Sequence, residues 1–183
     1  AAAAAAAAAL PAPQGICADP AIVVTPSLPS PVAGADVGIL LDLRTRFSPA
    51  CTWTISPDQL VLKVTSGEDD IWSTQQCPQA VPTQDLVLRR AVSTQVQVVW
   101  SARRSDDDCT NRTTWALPGF YHVLVAALAG EPTDLQFELT KPVPAEITET
   151  LPPQATGAKQ QGAEAKQQQA EQKARSTKKA RQG

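Results

Sequence analysis

The sequence has little of what most catalytic and metal sites are built from. It contains one histidine, no methionine and 4% aromatic residues among 183. A single histidine limits imidazole metal sites, and the lack of methionine disfavours a copper chaperone. With 43% hydrophobic residues the chain can still build one domain of ordinary size, although with few large core side chains. We therefore expect one domain with tails and no cofactor.

Long hydrophobic runs are also lacking. Residues 1–10 are nine alanines followed by Leu10, whereas a membrane-spanning helix needs about 20 apolar residues. We interpret residues 1–17 as an Ala/Pro-rich membrane-proximal or linker segment, the trailing end of a removed or truncated signal or membrane helix. A natural Ala/Pro spacer is the alternative.

Neither sign of charge dominates the whole chain. The net charge of −2 excludes the global basic field typical of nucleic-acid-binding proteins, so we expect no specific nucleic acid partner. The charge is nevertheless unevenly distributed. Residues 155–183 hold seven Lys and Arg against two Glu, a charge of +5, and the first 154 residues hold nine against sixteen acidic residues, a charge of −7. The sequence thus predicts an acidic body with a basic tail.

The tail, residues 156–183, is rich in Ala, Gln and Lys and follows a Pro-rich linker at 143–155. It has no apolar stripe to bury, so we expect it to be disordered. Its densest basic cluster is Lys173, Arg175, Lys178, Lys179 and Arg181. These charges predict salt-sensitive attraction to an anionic surface. A solvated, solubilising tail is the alternative.

Between these ends, short runs of alternating or β-branched residues are separated by Pro- and Gly-containing turns. We predict strands at Ile22–Thr25, Val37–Leu43, Cys51–Ile55, Leu60–Thr65, Ile71–Thr74, Asp85–Arg89, Gln95–Ser101, Phe120–Leu128 and Leu135–Thr140. Many short strands at this spacing are typical of a β-sandwich or barrel. The domain is expected to cover residues 18–142.

The alternation also predicts which side chains point into the core. In the clearest strand, Val96, Val98 and Trp100 share one face. The same reasoning assigns an inner layer of Ile39, Leu41, Leu60, Leu62, Val64, Leu86, Leu88, Tyr121, Val123 and Val125. Trp53, Trp72 and Trp100 are expected to anchor the core.

Cys17, Cys51, Cys77 and Cys109 are an even set without a Cys-x-x-Cys spacing. This arrangement fits neither a zinc site nor a redox pair, and it favours two disulfides over free buried thiols. Three pairings are possible. If successive strands alternate in direction, Cys17 and Cys51 lie at one end of the domain and the other two at the opposite end, which predicts Cys17–Cys51 and Cys77–Cys109. Two disulfides imply an oxidising compartment.

Several segments, taken in order, resemble a known family. They are Leu60–Gly67, Ile71-Trp72-Ser73 after a charged turn, Leu86–Leu88, Val96–Trp100 and Leu117-Pro118-Gly119-Phe120-Tyr121. Together they are similar to bacterial immunoglobulin-like domains of the intracellular proteinase inhibitor type, over roughly residues 35–140. The chain also resembles uncharacterised actinobacterial cell-envelope proteins, in its N-terminal segment and the run Cys51-Thr52-Trp53. The resemblance implies an immunoglobulin-like sandwich, and no reactive-site loop transfers residue by residue.

Candidate chemistry is sparse in this sequence. His122 is expected to face away from the core without a nucleophile beside it, which predicts a structural or surface role. The acidic clusters 68–70 and 106–108 lack the spacing of a calcium loop and predict solvated turns, with a weak cation site as the alternative. Because sandwich loops often carry contacts, the candidate contact residues are Glu68, Asp69, Asp70, Arg103, Arg104, Asp106, Asp107 and Asp108.

The sequence as a whole predicts an all-β, immunoglobulin-like antiparallel sandwich with disordered tails, secreted or membrane-anchored in a cell envelope. We expect a non-enzymatic binding or accessory module with a protein partner in that envelope. Two alternatives stay open. One is a secreted protease inhibitor, implied by the resemblance, and the other is a structural accessory subunit of a membrane complex.

Overall fold

Nine β-strands build the fold in the part of the chain that the structure describes. The computed structural model describes residues 9–144 and 169–173. The strands in chain order are β1 Ile22–Ser27, β2 Val37–Thr45, β3 Ala50–Ile55, β4 Leu60–Ser66, β5 Asp69–Ser73, β6 Gln84–Arg89, β7 Thr94–Trp100, β8 Gly119–Ala127 and β9 Thr133–Leu139. Short 3-10 helices at Asp19–Ala21 and Pro78–Ala80 precede β1 and β6. The nine predicted strands are confirmed, with every end within two residues of its expected place.

Two antiparallel sheets enclose the core. The first has the strand order β1-β2-β7, and the second has the order β5-β4-β8-β9. β3 pairs with β6 in a separate two-stranded ladder. Every pairing between these strands is antiparallel. The predicted all-β antiparallel sandwich is therefore confirmed.

Side-chain alternation explains which faces are buried. Along β7, Val96, Val98 and Trp100 are buried and the residues between them face outward. Other expected inner positions are also buried: Ile39, Leu41, Trp53, Leu60, Leu62, Val64, Trp72, Leu88, Tyr121, Val123 and Val125. Leu86 is only half-buried and packs against the core from its periphery, whereas Leu88 on the same strand is fully buried.

Three aromatic rings join the two sheets. The indole of Trp100 on β7 makes edge contacts with Tyr121 on β8, at a centroid distance of 6.2 Å, and with Phe137 on β9, at 6.4 Å. The Tyr121 hydroxyl donates a hydrogen bond of 2.5 Å to the carbonyl oxygen of Leu117, four residues upstream. Burial raises the pKa of this hydroxyl, so it stays protonated as a donor. Such a tyrosine corner is typical of immunoglobulin-like sandwiches.

The two disulfides have the predicted pairing. Cys17 is bonded to Cys51 and Cys77 to Cys109. The premise that all strands alternate in direction is wrong, however. Strict alternation would make β4 and β8 parallel, whereas they pair antiparallel. At least one connection between β5 and β8 therefore joins two strands that run in the same direction. The predicted disulfide pairing is nevertheless correct, because segments outside the strands bring the paired cysteines together.

One of those segments is the chain just before β1. Cys17 donates its backbone N–H to Thr52 at 2.8 Å, Thr52 donates to Gly15 at 2.9 Å, and Gln14 donates to Ala50 at 3.0 Å. Residues 14–17 thus run alongside β3 and cover its edge. The predicted domain, residues 18–142, is thus preceded by a segment that pairs with β3 from Gln14 onward.

The chain divides into two compact units, Ala1–Val143 and Pro144–Gly183. Of the basic tail, the structure describes only residues 169–173, which form a short helical turn. Lys173 is exposed at the end of this turn. The other members of the predicted basic cluster, namely Arg175, Lys178, Lys179 and Arg181, lie outside the described residues, as do residues 1–8 and 145–168.

The tyrosine corner gives a first prediction. Tyr121→Phe keeps the ring packing but removes the hydrogen bond to Leu117, so the free energy of unfolding should fall by about 1 kcal/mol. Urea unfolding followed by near-ultraviolet circular dichroism measures this change. Val99→Ala, at an exposed position of β7, is the control and should change the free energy by less than about 0.5 kcal/mol. Equal stability of Tyr121→Phe and the wild type would contradict the assignment.

Candidate functional site

The connection between β7 and β8 is a folded hairpin of residues 102–116, which we call the β7–β8 hairpin. Arg104 donates its backbone N–H to Thr114 at 3.0 Å, and Ala116 donates to Ala102 at 2.8 Å. Arg103 and Trp115 form an isolated antiparallel bridge between these two bonds. The segment thus presents a defined surface, although its sequence shows no strand pattern.

Two hydrogen bonds of Ser105 hold this hairpin against the outer edge of β5. The N–H of Ser105 donates to the carbonyl of Ile71 at 2.9 Å, and the Ser105 hydroxyl accepts from the N–H of Ser73 at 3.2 Å. An exposed strand edge would otherwise present unpaired backbone groups. The Cys77–Cys109 disulfide fixes the far part of the hairpin to the segment that follows β5.

An ion pair joins the two predicted contact loops. The Arg104 guanidinium binds the Asp69 carboxylate through both of its terminal nitrogens. The side-chain hydrogen bonds of this contact, together with the attraction between the opposite charges, lower the pKa of Asp69 and raise that of Arg104. Asp70 pairs instead with Lys63 at 2.6 Å, and Glu68 is exposed in the turn before β5.

The second acidic cluster, residues 106–108, forms hydrogen bonds that stabilise the hairpin. The Asp106 carboxylate accepts hydrogen bonds from the N–H and the hydroxyl of Thr110, each at 2.6 Å, and these bonds lower its pKa. Asp107 accepts from the Gln76 amide at 3.3 Å, and Asp108 is exposed. Among the residues that the structure describes, no group of three potential metal ligands converges.

A cleft of about 570 Å³ opens where the hairpin meets the start of β8. Its wall includes Ser66, Asp69, Arg104, Trp115, Leu117 and Tyr121. Trp115 is 41% exposed and Leu117 is 73% exposed. The Arg103 guanidinium stacks on the Trp115 ring, 3.6 Å from its centre, and its Nη1 donates to the carbonyl of Thr113 at 2.7 Å. The indole is thereby held in place while part of its surface faces solvent.

The sequence predicts the charged part of this site but not its apolar part. Asp69 and Arg104 were both candidate contact residues, and the structure brings them together. Trp115 and Leu117 were not singled out as contacts. The position of Trp115 in the sequence is a signal for its role, because it is the one tryptophan of four that lies outside every predicted strand.

His122 lies away from this cleft, on the outer face of β8. Its Nδ1 is 2.9 and 3.1 Å from the two carboxylate oxygens of Asp134 on β9. Its side chain is 41% exposed. The prediction that His122 faces away from the core is confirmed.

Comparison with protein-family models and with curated proteins gives no match. Solved structures show a weak likeness. A beta-glucosidase from Listeria innocua, in complex with gluconolactone, is 13% identical over 65% of this chain and 16% of its own, with a TM-score of 0.39. The alkylpurine DNA glycosylase AlkC from Pseudomonas fluorescens, bound to DNA containing an abasic site analog, is 15% identical over 66% of this chain and 30% of its own, with a TM-score of 0.36. The chain thus spans less than a third of either enzyme.

The disulfides allow a matched test of how the hairpin is held. The variants Cys77→Ser/Cys109→Ser and Cys17→Ser/Cys51→Ser open loops of similar length, with sequence separations of 32 and 34. Each should lower the free energy of unfolding by about 3 to 4 kcal/mol. Only the first should speed amide hydrogen exchange selectively in residues 102–116. Equal hairpin protection in the two variants would show that this disulfide does not position the hairpin.

The ion pair predicts a pH effect at the same site. Arg104→Gln should raise the pKa of Asp69 toward its ordinary value of 3.8, measured by carbon-detected NMR of the carboxylate. Because the folded-state pKa is depressed, the contribution of Asp69 to stability is present above the unfolded pKa and lost as the pH falls through the folded value. The pKa of Asp106 should not change, since Thr110 lowers it. An unchanged pKa of Asp69 would contradict the pairing.

Proposed function

We propose that this protein is a non-enzymatic, extracytoplasmic binding or accessory module of a bacterial cell envelope. The single observation that carries the proposal is the exposed apolar pair Trp115 and Leu117 at the cleft, with the Trp115 ring held in place by Arg103. Its partner is a protein of the same envelope. In this proposal residues 1–17 form the end of the module nearest the membrane.

The rigidity of the surface supports binding. Tryptophan and arginine are the residues that most often dominate the affinity of protein interfaces. Here both occur on a hairpin tied to β5 by two hydrogen bonds of Ser105 and to the chain beyond β5 by a disulfide. A surface that is ordered before contact loses less conformational entropy on binding. The cleft wall is therefore suited to a partner that supplies an apolar side chain and polar groups that bind the Asp69–Arg104 pair.

The disulfides support the compartment. All four cysteines are paired, and disulfides persist in oxidising surroundings such as the periplasm or the exterior of a cell. Among the described residues, no helix is both long and apolar enough to cross a bilayer.

Photocrosslinking in the native cell tests the proposed contact surface. A photoreactive residue in place of Leu117 should give a discrete protein adduct, and Trp115→Ala should reduce its yield about tenfold, because a buried aromatic anchor is often worth more than about 1.4 kcal/mol. The matched control is the same residue in place of Val99, which is 47% exposed on β7. Equal adducts from both positions would overturn the assignment of the cleft.

The identity of the adduct separates the alternatives. A protease crosslinked at Leu117 and inhibited by the purified chain would replace the accessory module with a secreted inhibitor. A stoichiometric adduct with a membrane-complex subunit would favour the structural accessory role. Four thiols that react with maleimide in intact cells, without prior reduction, would contradict the extracytoplasmic location.

A further inference from the structure

The two disulfides lie in different surroundings. Cys51 is part of β3, and Cys17 belongs to the segment that pairs with β3, so backbone hydrogen bonds of the sheet hold both cysteines. Cys77 and Cys109 lie outside every strand, one in the connection between β5 and β6 and the other in the β7–β8 hairpin. A bond between two such connections becomes accessible through local opening, without loss of the sheets.

Exposure distinguishes Cys109 from the other three cysteines. The exposed fractions of Cys17, Cys51 and Cys77 are 4%, 0% and 2%, whereas Cys109 is only partly buried. Attack on a disulfide requires access to one of its two sulfurs. Cys109 is therefore the cysteine that an external thiol reaches first.

The backbone of the hairpin also favours opening at this cysteine. Cys109 has a φ of 49°, and Ala102, at the base of the hairpin, has a φ of 54°. Residues other than glycine are disfavoured in this left-handed region and persist there only where the surrounding structure holds them. The disulfide holds Cys109 together with the N–H bond that Cys109 donates to Asp106 at 3.0 Å. Breaking the disulfide therefore allows this part of the backbone to relax.

The two segments that the disulfide joins are acidic. Residues 106–112 contain three aspartates and one arginine, and residues 74–81 contain no charged side chain, so together they carry a charge of −2. Lys63 and Arg104, on neighbouring elements, are each paired with an aspartate of β5. Such a field attracts a cationic thiol and repels an anionic one, most strongly at low ionic strength.

We propose that the Cys77–Cys109 disulfide is a thiol–disulfide exchange site for a cationic dithiol. The partner class is a reduced dithiol protein with basic residues beside its reactive cysteine. The inference goes beyond the proposed function, since it does not depend on which protein the cleft binds. The Cys17–Cys51 disulfide stays intact in this reaction.

The exchange takes place in two steps. A thiolate of the dithiol bonds to the Cys109 sulfur, and the electron pair of the broken S–S bond leaves on the Cys77 sulfur, which takes a proton from water. The second thiol of the dithiol loses its proton, bonds to the first sulfur and displaces Cys109 as a thiolate, which is then protonated. The dithiol is oxidised to a disulfide, and residues 106–112 lose their covalent tie to residues 74–81.

Reduction of the full, folded chain by two small thiols tests the proposal. Cysteamine carries a positive charge and mercaptoethanesulfonate a negative one, and the two are compared at equal thiolate concentration and low salt. Free thiols are blocked with N-ethylmaleimide, and peptide mapping by mass identifies the labelled cysteines. Cysteamine should open Cys77–Cys109 about tenfold faster than mercaptoethanesulfonate, and this ratio should shrink in about 0.5 M salt.

The Cys17–Cys51 disulfide is the internal control. It should open at least about tenfold more slowly than Cys77–Cys109, and the first mixed disulfide with cysteamine should map to Cys109. Simultaneous labelling of all four cysteines would overturn the proposal, because it would show that opening requires global unfolding. A first adduct on Cys77 would overturn the assignment of the attacked sulfur.

Charge variants separate the local field from the charge of the whole chain. Asp107→Asn/Asp108→Asn should reduce the ratio of the two rates below about threefold and leaves Asp106 to bind Thr110. Asp42→Asn/Glu138→Gln removes two carboxylates on β2 and β9, neither of which pairs with β5, and should keep the ratio near tenfold. An equal loss in both double variants would overturn the role of the acidic segment. Far-ultraviolet circular dichroism confirms that each variant is folded.

Discussion

The contact between Trp100 and Tyr121 is the interaction on which the rest of the structure depends. The two rings belong to different sheets, and in a chain with few aromatic residues they provide much of the large apolar surface between them. Their polar atoms reach outward. The Trp100 Nε1–H donates to the carbonyl of Arg103 at 2.8 Å, and the Tyr121 hydroxyl donates to Leu117. The same pair thus joins the sheets and fixes both ends of the segment that carries the cleft.

This coupling ties surface geometry to the core. Changes in the packing of Phe137 against Trp100 or Tyr121 would move the ends of the β7–β8 hairpin as well as the sheets. A contact surface on a long loop would ordinarily be the most mobile part of a sandwich. Here the loop has core side chains at its roots, a strand edge along its side and a disulfide near its tip.

The local sequence pattern predicts most of the fold and part of the site. The alternation of apolar and polar residues predicts the nine strands and their buried faces, because successive side chains on a pleated strand point to opposite faces of the sheet. The direction of the chain between the sheets depends on long-range packing, so the assumed alternation failed between β4 and β8. Charge drew attention to Asp69 and Arg104. The role of Trp115 is not predicted, because its exposure depends on the Arg103 side chain and on the fold of the hairpin. The sequence of the hairpin has no periodic pattern that would indicate either contact.

β8 has one further consequence. Gly119, its first residue, lines the cleft, and Ala127, its last, leads directly into the β8–β9 turn at the opposite end of the strand. A strand of nine residues at about 3.4 Å per residue separates these two ends by about 27 Å. The strand is fixed on both sides by β4 and β9, so it acts as a rigid spacer. A partner bound at the cleft would therefore be held at a fixed distance from the β8–β9 turn, set by the length of this strand.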